Sequence, residues 1–286
     1  MYVVAGITGN TGSVVASALL DRKVPVRVLA RDAAKAAPWK ARGAEVVTAE
    51  LGDQAALTAA LRGATGAYLL VPPRMTSTAP LQENRALIAA LAGAVAAAKV
   101  PHVVLLSSIG AQHPDGTGPI VSTYNAEQAL ASVTDLTAVR AAYFMENWLG
   151  SLGMLAQGVL PTFAAPDKAF SQVATADIGR TAATALLEGP HGQTRIELSG
   201  PREYSPNDVA ALLTELTGKP VTASFAPLEA VVPTFTGFGI SSQVAELFRE
   251  LYQGLGNGRI AWSGAGRALR GSVPLADVLR PALAGR

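Results

Sequence analysis

Short apolar runs alternate with alanine-rich segments through the first half of the chain. The runs are almost continuously apolar, as in GAYLLV and HVVLLSS, which is typical of strands buried on both faces of a parallel sheet. They predict strands at Tyr2–Ala5, Val24–Ala30, Glu45–Thr48, Gly66–Val71, His102–Ser107 and Leu136–Arg140. The segments between them predict helices at Ser13–Leu20, Ala33–Arg42, Asp53–Leu61, Gln82–Lys99 and Tyr124–Ser132. Strand–helix alternation at this spacing favours right-handed βαβ units with helices on both faces of the sheet.

After about residue 150 the alternation weakens, and glycine and proline become frequent. The pattern still predicts a helix from about residue 176 to residue 188, and then a strand at Thr194–Leu198. A further helix follows, because Ser205 and Asp208 are spaced as a capping box and Gly218 suits the helix end. We therefore predict an α/β protein with a Rossmann-type doubly wound parallel sheet and a smaller α+β C-terminal lobe.

Composition narrows the class of protein. The chain has 286 residues, of which 49% are hydrophobic and 15% charged, so a compact globular fold is expected. A net charge of +2 gives no reason to expect a nucleic-acid partner. Cysteine is absent, which excludes disulfides and thiolate chemistry. The histidines, His102, His113 and His191, are too scattered for a zinc site, so no metal is predicted.

Nothing in the sequence predicts a membrane or export segment. The first residues read as a strand rather than as a basic region followed by an apolar one. The uncharged stretch over residues 147–166 is interrupted by glycine and proline, unlike a membrane span. We expect a cytoplasmic monomer or homodimer whose partner is a small molecule.

Three glycines follow the first predicted strand and precede the first helix. A turn with few side chains lets a diphosphate approach the backbone, and the helix N-terminus supplies free N–H groups and a partial positive charge. The alternative is an ordinary glycine-bearing turn. The position in the first βα unit favours cofactor binding, with contacts predicted from Gly6, Thr8, Gly9, Asn10, Thr11 and Gly12.

Arg31 follows the second predicted strand, where a side chain reaches the ribose of a bound dinucleotide. An acidic residue there would bind a 2′-hydroxyl, whereas an arginine suits a 2′-phosphate. The alternative is a solvated surface arginine. The position relative to the glycines predicts NADP (NADPH) as the cofactor.

The chain resembles the NmrA-like branch of the atypical short-chain dehydrogenases/reductases over essentially its whole length. Within that branch it is most similar to bacterial NADPH-dependent quinone and triphenylmethane-dye reductases. The matching pieces include GITGNTG, VLARD, YLLVPP, VVLLSSIGA, YNAEQAL and, most specific, RAAYFMEN. The resemblance implies a cleft between an NADP-binding Rossmann domain and a substrate lobe. The domain would comprise residues 1–150, with 168–200 returning to its sheet, and the lobe residues 151–167 and 201–286.

The resemblance also assigns roles to strand-end residues. Asp53 would lie beside the adenine, although it also suits the N-cap of the following helix. Val71 and Pro72 would pass the nicotinamide ribose. Ser107 and Ser108 end the fifth strand, at the sheet edge where ligands bind. Ser107 is predicted to contact the cofactor and Ser108 the substrate; the alternative is that they cap a turn.

The tyrosine–lysine pair of carbonyl-reducing short-chain dehydrogenases is absent. Aligning Ala126–Glu127 on the family's alanine–glutamate puts Asn125 at the lysine position and Val121 at the tyrosine position. Taking Tyr124 as the tyrosine puts Gln128 four residues later. A phenol without a nearby cation has a pKa of about 10 and is a poor acid at neutral pH. The catalytic group is therefore unknown, with Asn125, which would also contact the cofactor, and Tyr143 as candidates.

Residues 143–147 follow the sixth strand and are expected to face the cleft. Tyr143, Phe144 and Asn147 are the predicted acceptor contacts, since an aromatic wall suits a flat apolar molecule. The alternative for the two rings is packing between the domains. Phe235 and Phe238, in a glycine-rich region, are predicted to form a lid.

These features predict an NADPH-dependent reductase that transfers a hydride to a planar apolar acceptor such as a quinone. That reaction needs positioning more than acid catalysis. The alternative is a non-catalytic redox sensor of the NmrA type, which binds NADP(H) without turnover. The missing pair is compatible with both.

Overall fold

The computed structural model describes residues 1–284, in which thirteen strands alternate with ten α-helices. The strands are Tyr2–Val4 (β1), Val26–Ala30 (β2), Glu45–Thr48 (β3), Gly66–Leu69 (β4), His102–Ser108 (β5), Asp135–Ala141 (β6), Tyr143–Phe144 (β7), Val159–Thr162 (β8), Phe170–Val173 (β9), Thr194–Ser199 (β10), Glu203–Tyr204 (β11), Thr222–Phe225 (β12) and Arg267–Arg270 (β13).

The helices are Asn10–Asp21 (α1), Ala33–Ala41 (α2), Gln54–Leu61 (α3), Pro80–Ala98 (α4), Val121–Ala131 (α5), Thr175–Glu188 (α6), Pro206–Thr217 (α7), Val231–Gly237 (α8), Ser242–Asn257 (α9) and Leu275–Leu283 (α10). Short 3₁₀ segments occur at Gly118–Ile120, Met145–Gln157 and Leu228–Ala230. Within residues 1–284, no helix combines the length and the apolar character needed to cross a bilayer.

Eight parallel strands form the central sheet, in the order β13-β10-β6-β5-β4-β1-β2-β3. β1 lies between β2 and β4, and Tyr2 pairs with Val26 on one side and with Gly66 on the other. The chain therefore runs outward in opposite directions from β1 and β4, which creates a crevice at the carboxyl ends of the strands. The predicted doubly wound Rossmann-type sheet is confirmed.

Helices cover both faces of this sheet, which is why its strands are apolar on both sides. One core lies under α1 and α6 and includes Leu19, Ile178 and Leu198. The other lies under α3, α4 and α5 and includes Leu57 and Leu91. The site is thus built at the edge of a rigid, three-layered unit.

A third core belongs to the smaller lobe and surrounds the buried Trp148 and Tyr204. Two small sheets, β11-β9-β7 and β12-β8, and helices α7 and α10 enclose it. α7 begins with the capping box expected from the sequence. Its Ser205 Oγ accepts from the Asp208 backbone N–H, and the Asp208 carboxylate accepts from the Ser205 N–H at 2.8 Å.

Two strands depart from the expected division of the chain. β13 pairs with β10 in the central sheet, so residues 201–286 are not confined to the lobe. Its sequence, Arg267-Ala-Leu-Arg270, lacks the continuous apolar run that marked the other central strands, because an edge strand is only half covered. β9 joins the small sheet, so only α6 and β10 of residues 168–200 return to the main one.

Candidate functional site

The turn between β1 and α1, residues 6–12, is called the glycine turn below. Gly6 has φ +69°, and a Cβ on it would lie 2.8 Å from Leu70 Cδ2 in the loop after β4. A Cβ on Gly12 would lie 2.4 Å from Gly6 O and 2.5 Å from Ala5 O. Glycine is thus needed at both positions, because side chains there would push the helix and the β4 loop away from the turn.

Gly9 leaves open space in front of the first turn of α1. A Cβ on Gly9 would have one neighbour within 4 Å, Gly6 O at 3.3 Å. Gly9 is the N-cap of α1, and no side chain caps this helix. Its first amides and its dipole therefore remain available to an anion. This cradle fits the diphosphate of a dinucleotide.

The polar side chains of the glycine turn divide into two groups. Thr8 and Asn10 are exposed, as phosphate contacts require. Thr11 is buried instead, and its hydroxyl accepts a hydrogen bond from Tyr68 Oη at 2.8 Å. The Thr11 hydroxyl keeps its own proton to donate, so a contact between Thr11 and the cofactor remains a prediction.

Arg31 differs from the arginine four residues earlier. Arg27 is engaged by the carboxylate of Glu45 and by the carbonyls of Ala60 and Arg62. Arg31 is exposed directly after β2, and no hydrogen bond or ion pair of the described residues engages it. The neighbouring Asp32 caps α2 by accepting from Ala34 N at 2.9 Å. The guanidinium of Arg31 is free to bind a phosphate.

Asp53 occupies the cap position that the sequence indicated. Its carboxylate accepts from Ala56 N at 3.0 Å and begins α3. The side chain is otherwise exposed, so a contact with the adenine remains a prediction.

Val71 and Pro72 follow β4, and Ser108 is the last residue of the neighbouring β5. β4 and β5 are parallel and in register at Leu69 and Leu105, so the residues after them lie at the same edge of the sheet. All three are half-buried, and Ser108 Oγ donates to Ile109 O at 3.1 Å. The three residues border the crevice. Of their side chains, that of Ser108 makes the local hydrogen bond just described.

The loop after β4 is hydrogen-bonded to the residue that begins α9. Ser241 donates its backbone N–H to Met75 O at 2.9 Å and its hydroxyl to Ser77 O. In the same loop, Arg74 Nη1 lies 3.4 Å from a Glu83 carboxylate oxygen. The start of α9 therefore contacts the Rossmann domain beside the predicted nicotinamide position.

Ser107 is part of a buried charged network. Its hydroxyl donates to Glu127 Oε1 at 2.5 Å, and Glu127 also accepts from Arg140 Nε at 2.9 Å and Nη2 at 2.7 Å. All three side chains are buried. The Ser107 hydroxyl fastens α5 onto β5 and β6, and a contact between Ser107 and the cofactor remains a prediction.

α5 carries the positions of the missing tyrosine–lysine pair. Val121 and Asn125 are half-buried on it, and Asn125 makes no hydrogen bond to any described residue. Tyr124 instead lines a cavity of about 180 Å³ that Arg140 and Arg195 also line. The sequence did not predict that Tyr124 and two arginines line the same cavity. We call this space the arginine cavity; it is also lined by Gln112, Gln128 and Ser263.

Residues 143–147 do not all face the crevice. Met145 is fully buried in the lobe core. Glu146 accepts from the backbone N–H of Thr175 at 2.9 Å and from its hydroxyl at 2.6 Å, so its negative charge lies at the positive end of the α6 dipole. Tyr143 and Phe144 alternate along β7, and they pack against the lobe core and the sheet core respectively. A single wall made of both rings is therefore not what the fold builds.

Tyr143 has polar neighbours that the sequence did not reveal. Its phenol lies beside the Tyr252 phenol and the Asn147 side chain. Burial raises the pKa of the Tyr143 phenol well above its ordinary value, and the adjacent Tyr252 raises the pKa further. Tyr143 therefore stays neutral and acts as a hydrogen-bonding group. Tyr252 lies more than a hundred residues later on the amphipathic α9, where no local motif marks it.

The predicted lid residues have different environments. Phe235 is stacked on Phe248 with ring centroids 4.8 Å apart, and its other aromatic neighbour is Phe163. The ring of Phe163 in turn lies against the ring of Tyr252, with the two centroids 5.3 Å apart. Phe238 is 80% exposed. Phe235 thus belongs to a packed aromatic cluster that ends at Tyr143, whereas Phe238 projects into solvent.

Three features characterise the chain: the glycine turn, the free arginine after β2 and the buried network on α5. A match to a family model agrees with these features. The model of the NmrA-like family matches residues 2–268. The chain belongs to the NmrA-like family. The resemblance predicted from the sequence is confirmed.

Relatives of this NmrA-like protein are reductases. An NAD(P)H azoreductase from Xenophilus azovorans is 32% identical over 258 residues, which cover 88% of this chain and 86% of the relative. The NADPH complex of the quinone oxidoreductase QOR2 from Escherichia coli superposes with a TM-score of 0.82 at 25% identity, covering 99% of this chain and all of that one.

A third neighbour extends the likeness in fold. The NADP(H) complex of the triphenylmethane reductase from Citrobacter sp. has a TM-score of 0.83 at 20% identity, covering 99% of this chain and 100% of that one. Both solved neighbours hold the cofactor that the glycine turn and Arg31 predict. The prediction of NADP is confirmed to that extent, whereas the individual site residues remain predictions.

Proposed function

We propose that this NmrA-like protein is an NADPH-dependent reductase of planar, apolar, electron-poor acceptors such as quinones. The observation that carries the proposal is the unengaged Arg31 beside an open, uncapped α1 N-terminus. These two features offer a phosphate site and a diphosphate site at one edge of the sheet. The azo and quinone reductases among its relatives support the reaction class.

The part of the site that would hold the cofactor offers a charged side chain and backbone N–H groups. Arg31 would hold the 2′-phosphate, and the first amides of α1 would hold the diphosphate. Val71 and Pro72 would border the nicotinamide ribose by shape, since Pro72 has no N–H to donate. Asn125, whose amide has no partner among the described residues, would hydrogen-bond the ribose or the carboxamide. The chemistry that bound NADPH supplies is hydride donation.

The acceptor end would orient a flat molecule over the nicotinamide. Tyr143 and the neighbouring Asn147 would offer polar contacts beside an aromatic surface. A hydride added to a quinone gives a delocalised anion, which water protonates to the hydroquinone. The reaction therefore needs no tyrosine–lysine pair as an acid. Its rate depends on how the acceptor is positioned over the nicotinamide.

The test is NADPH oxidation, followed by absorbance, with a panel of quinones, azo dyes and conjugated enones. Turnover with at least one acceptor class is expected, with NADPH preferred over NADH. Arg31→Ala should raise the KM for NADPH about 10- to 100-fold and leave that for NADH nearly unchanged, because charge-assisted hydrogen bonds contribute about 1.5–3 kcal/mol. Arg22→Ala removes the same charge from an exposed position after α1 and is the matched control.

Two outcomes would contradict the proposal. Equal affinity for NADH and NADPH would remove the role of Arg31. Binding of NADPH without turnover of any acceptor would favour the redox-sensor alternative, since Val121 and Asn125 leave that alternative open.

A further inference from the structure

The arginine cavity is not used by the proposed reaction. It lies between α5, the strands β6 and β10, and the segment before β13. Tyr124, Gln128, Arg140, Arg195, Ser263 and Gln112 supply its polar wall, and no carboxylate is among the described residues that line it. A small space lined by two cations and no anion is suited to a negatively charged ligand.

Arg195 has no carboxylate of its own. Its side chain is 42% exposed, and its one ion pair within residues 1–284 is with Glu127 Oε2 at 3.8 Å. Glu127 already accepts three shorter hydrogen bonds, from Ser107 and from two nitrogens of Arg140. One carboxylate thus serves two guanidinium groups, and Arg195 retains donors toward the cavity.

A second carboxylate, that of Glu197, contacts the Ser263 side of the wall but does not pair with the arginines of the cavity. Glu197 Oε1 accepts from Ser263 N at 2.9 Å, from Ser263 Oγ at 2.6 Å and from Gly264 N at 3.1 Å. No ion pair of the described residues joins Glu197 to Arg140 or Arg195. Its hydrogen bonds hold the segment before β13 in place.

Another polar group of the wall is incompletely bonded. Gln112 donates from Nε2 to Ala261 O at 2.9 Å, but its buried Oε1 has no partner among the described residues. Buried polar atoms in folded proteins are ordinarily hydrogen-bonded. Because this atom accepts hydrogen bonds, it offers no donor to an oxyanion, and the donors of this wall are Arg195, Tyr124 and Gln128.

We propose that the arginine cavity binds a small oxyanion, a phosphate or carboxylate group, between Arg195 and the side chains of Tyr124 and Gln128. The inference does not rest on the proposed reductase activity. The cavity is also separate from the predicted 2′-phosphate site. Arg31 follows β2, which lies four strand spacings from β6 in the sheet, or about 19 Å.

The experiment measures the melting temperature of the NADP-saturated protein, so that the cofactor occupies its own phosphate sites. One arm adds inorganic phosphate and the other adds succinate, each against sodium chloride at equal ionic strength. At ten times the dissociation constant, we expect a rise of about 2 °C or more over the chloride control. Arg195→Gln and Gln128→Glu should both abolish the rise, the second by placing a carboxylate beside Arg195.

Arg267→Gln is the matched control, since it removes the same charge from an exposed position on the neighbouring strand β13. It should keep the full rise. A rise in one arm or both supports the proposal and identifies the oxyanion. The proposal is overturned by no rise in either arm, by a full rise in Arg195→Gln, or by loss of the rise in Arg31→Ala, which would assign the anion to the cofactor site.

Discussion

Arg31 and Arg140 both lie at the carboxyl edge of the parallel sheet, but their surroundings are opposite. Arg31, after β2, has no partner among residues 1–284 and is exposed. Arg140, near the end of β6, is buried and shares Glu127 with Ser107. The same contrast applies to the helices: the N-terminus of α1 is uncapped, whereas α5 is fastened to the sheet by the Glu127 carboxylate.

The difference separates residues whose side chains are available to a ligand from residues whose side chains stabilise the fold. A binding group is useful when its hydrogen-bonding capacity is unspent, while a structural group in the interior must be satisfied because an unsatisfied one costs free energy. Ser107 and Arg31 looked equally like ligand contacts in the sequence. Their partners distinguish them.

The largest effect is expected from disrupting the buried network around Glu127, whose members are all hydrogen-bonded. Glu127→Ala leaves Arg140 buried without its carboxylate and should lower the free energy of unfolding by about 3–5 kcal/mol, measured by urea denaturation. Glu246→Ala, which removes an exposed pair with Arg249, is the control and should cost less than about 1 kcal/mol. Equal losses in the two variants would mean that the buried network is not structural.

Gly12→Ala tests the glycine turn and the uncapped N-terminus of α1. The added methyl would meet the carbonyls of Gly6 and Ala5, so α1 must shift away from the turn. We expect a loss of about 1–3 kcal/mol in stability together with weaker NADPH binding by titration calorimetry. Gly150→Ala, where a Cβ meets nothing within 4 Å, should change neither. Unchanged NADPH affinity in Gly12→Ala would contradict the geometry of the cradle.

Ser241 lies between the two regions, and its removal should have a smaller effect. Its hydroxyl caps α9 by accepting from Val244 N and donates to Ser77 O in the β4 loop. Ser241→Ala should therefore cost about 1 kcal/mol in urea unfolding. Ser242→Ala, next to it and exposed, should change stability by less than about 0.5 kcal/mol. An equal effect at the two serines would show that the tie contributes nothing.

The smallest effect concerns the tyrosine pair and appears only at high pH. Burial raises the pKa of the phenols of Tyr143 and Tyr252, whereas an unfolded tyrosine ionises near pH 10. The folded state thus binds more protons above that pH, so stability is full below about pH 10 and falls as the pH rises further. Tyr252→Phe should make this fall shallower, measured as urea midpoints at pH 8 and pH 10.5. A fall as steep as in the wild type would contradict the assignment.

The sequence predicted the parts of the molecule that local pattern determines. The strands β1 to β6, the glycine turn and the capping box of α7 each follow from residues within one short segment. NADP followed from Arg31 because its spacing from the glycines is fixed by one βαβ unit. The resemblance added the lobe and the crevice.

Contacts between distant segments could not be predicted in the same way. Tyr252 meets Tyr143 across more than a hundred residues, and the pairing of Arg140 with Glu127 depends on how α5 packs on the sheet. Arg195 looked like an ordinary charged residue in a strand, yet the fold brings it to Tyr124. One sequence without these contacts cannot separate Ser107, which is committed, from Ser108, which is half-exposed.

β13 also protects the central sheet from association with other chains. Residues 267–270 pair with β10, whose edge would otherwise present unpaired backbone groups. An edge of that kind pairs with other chains and aggregates. Arg267 and Arg270 give the sheet a charged border that discourages such pairing.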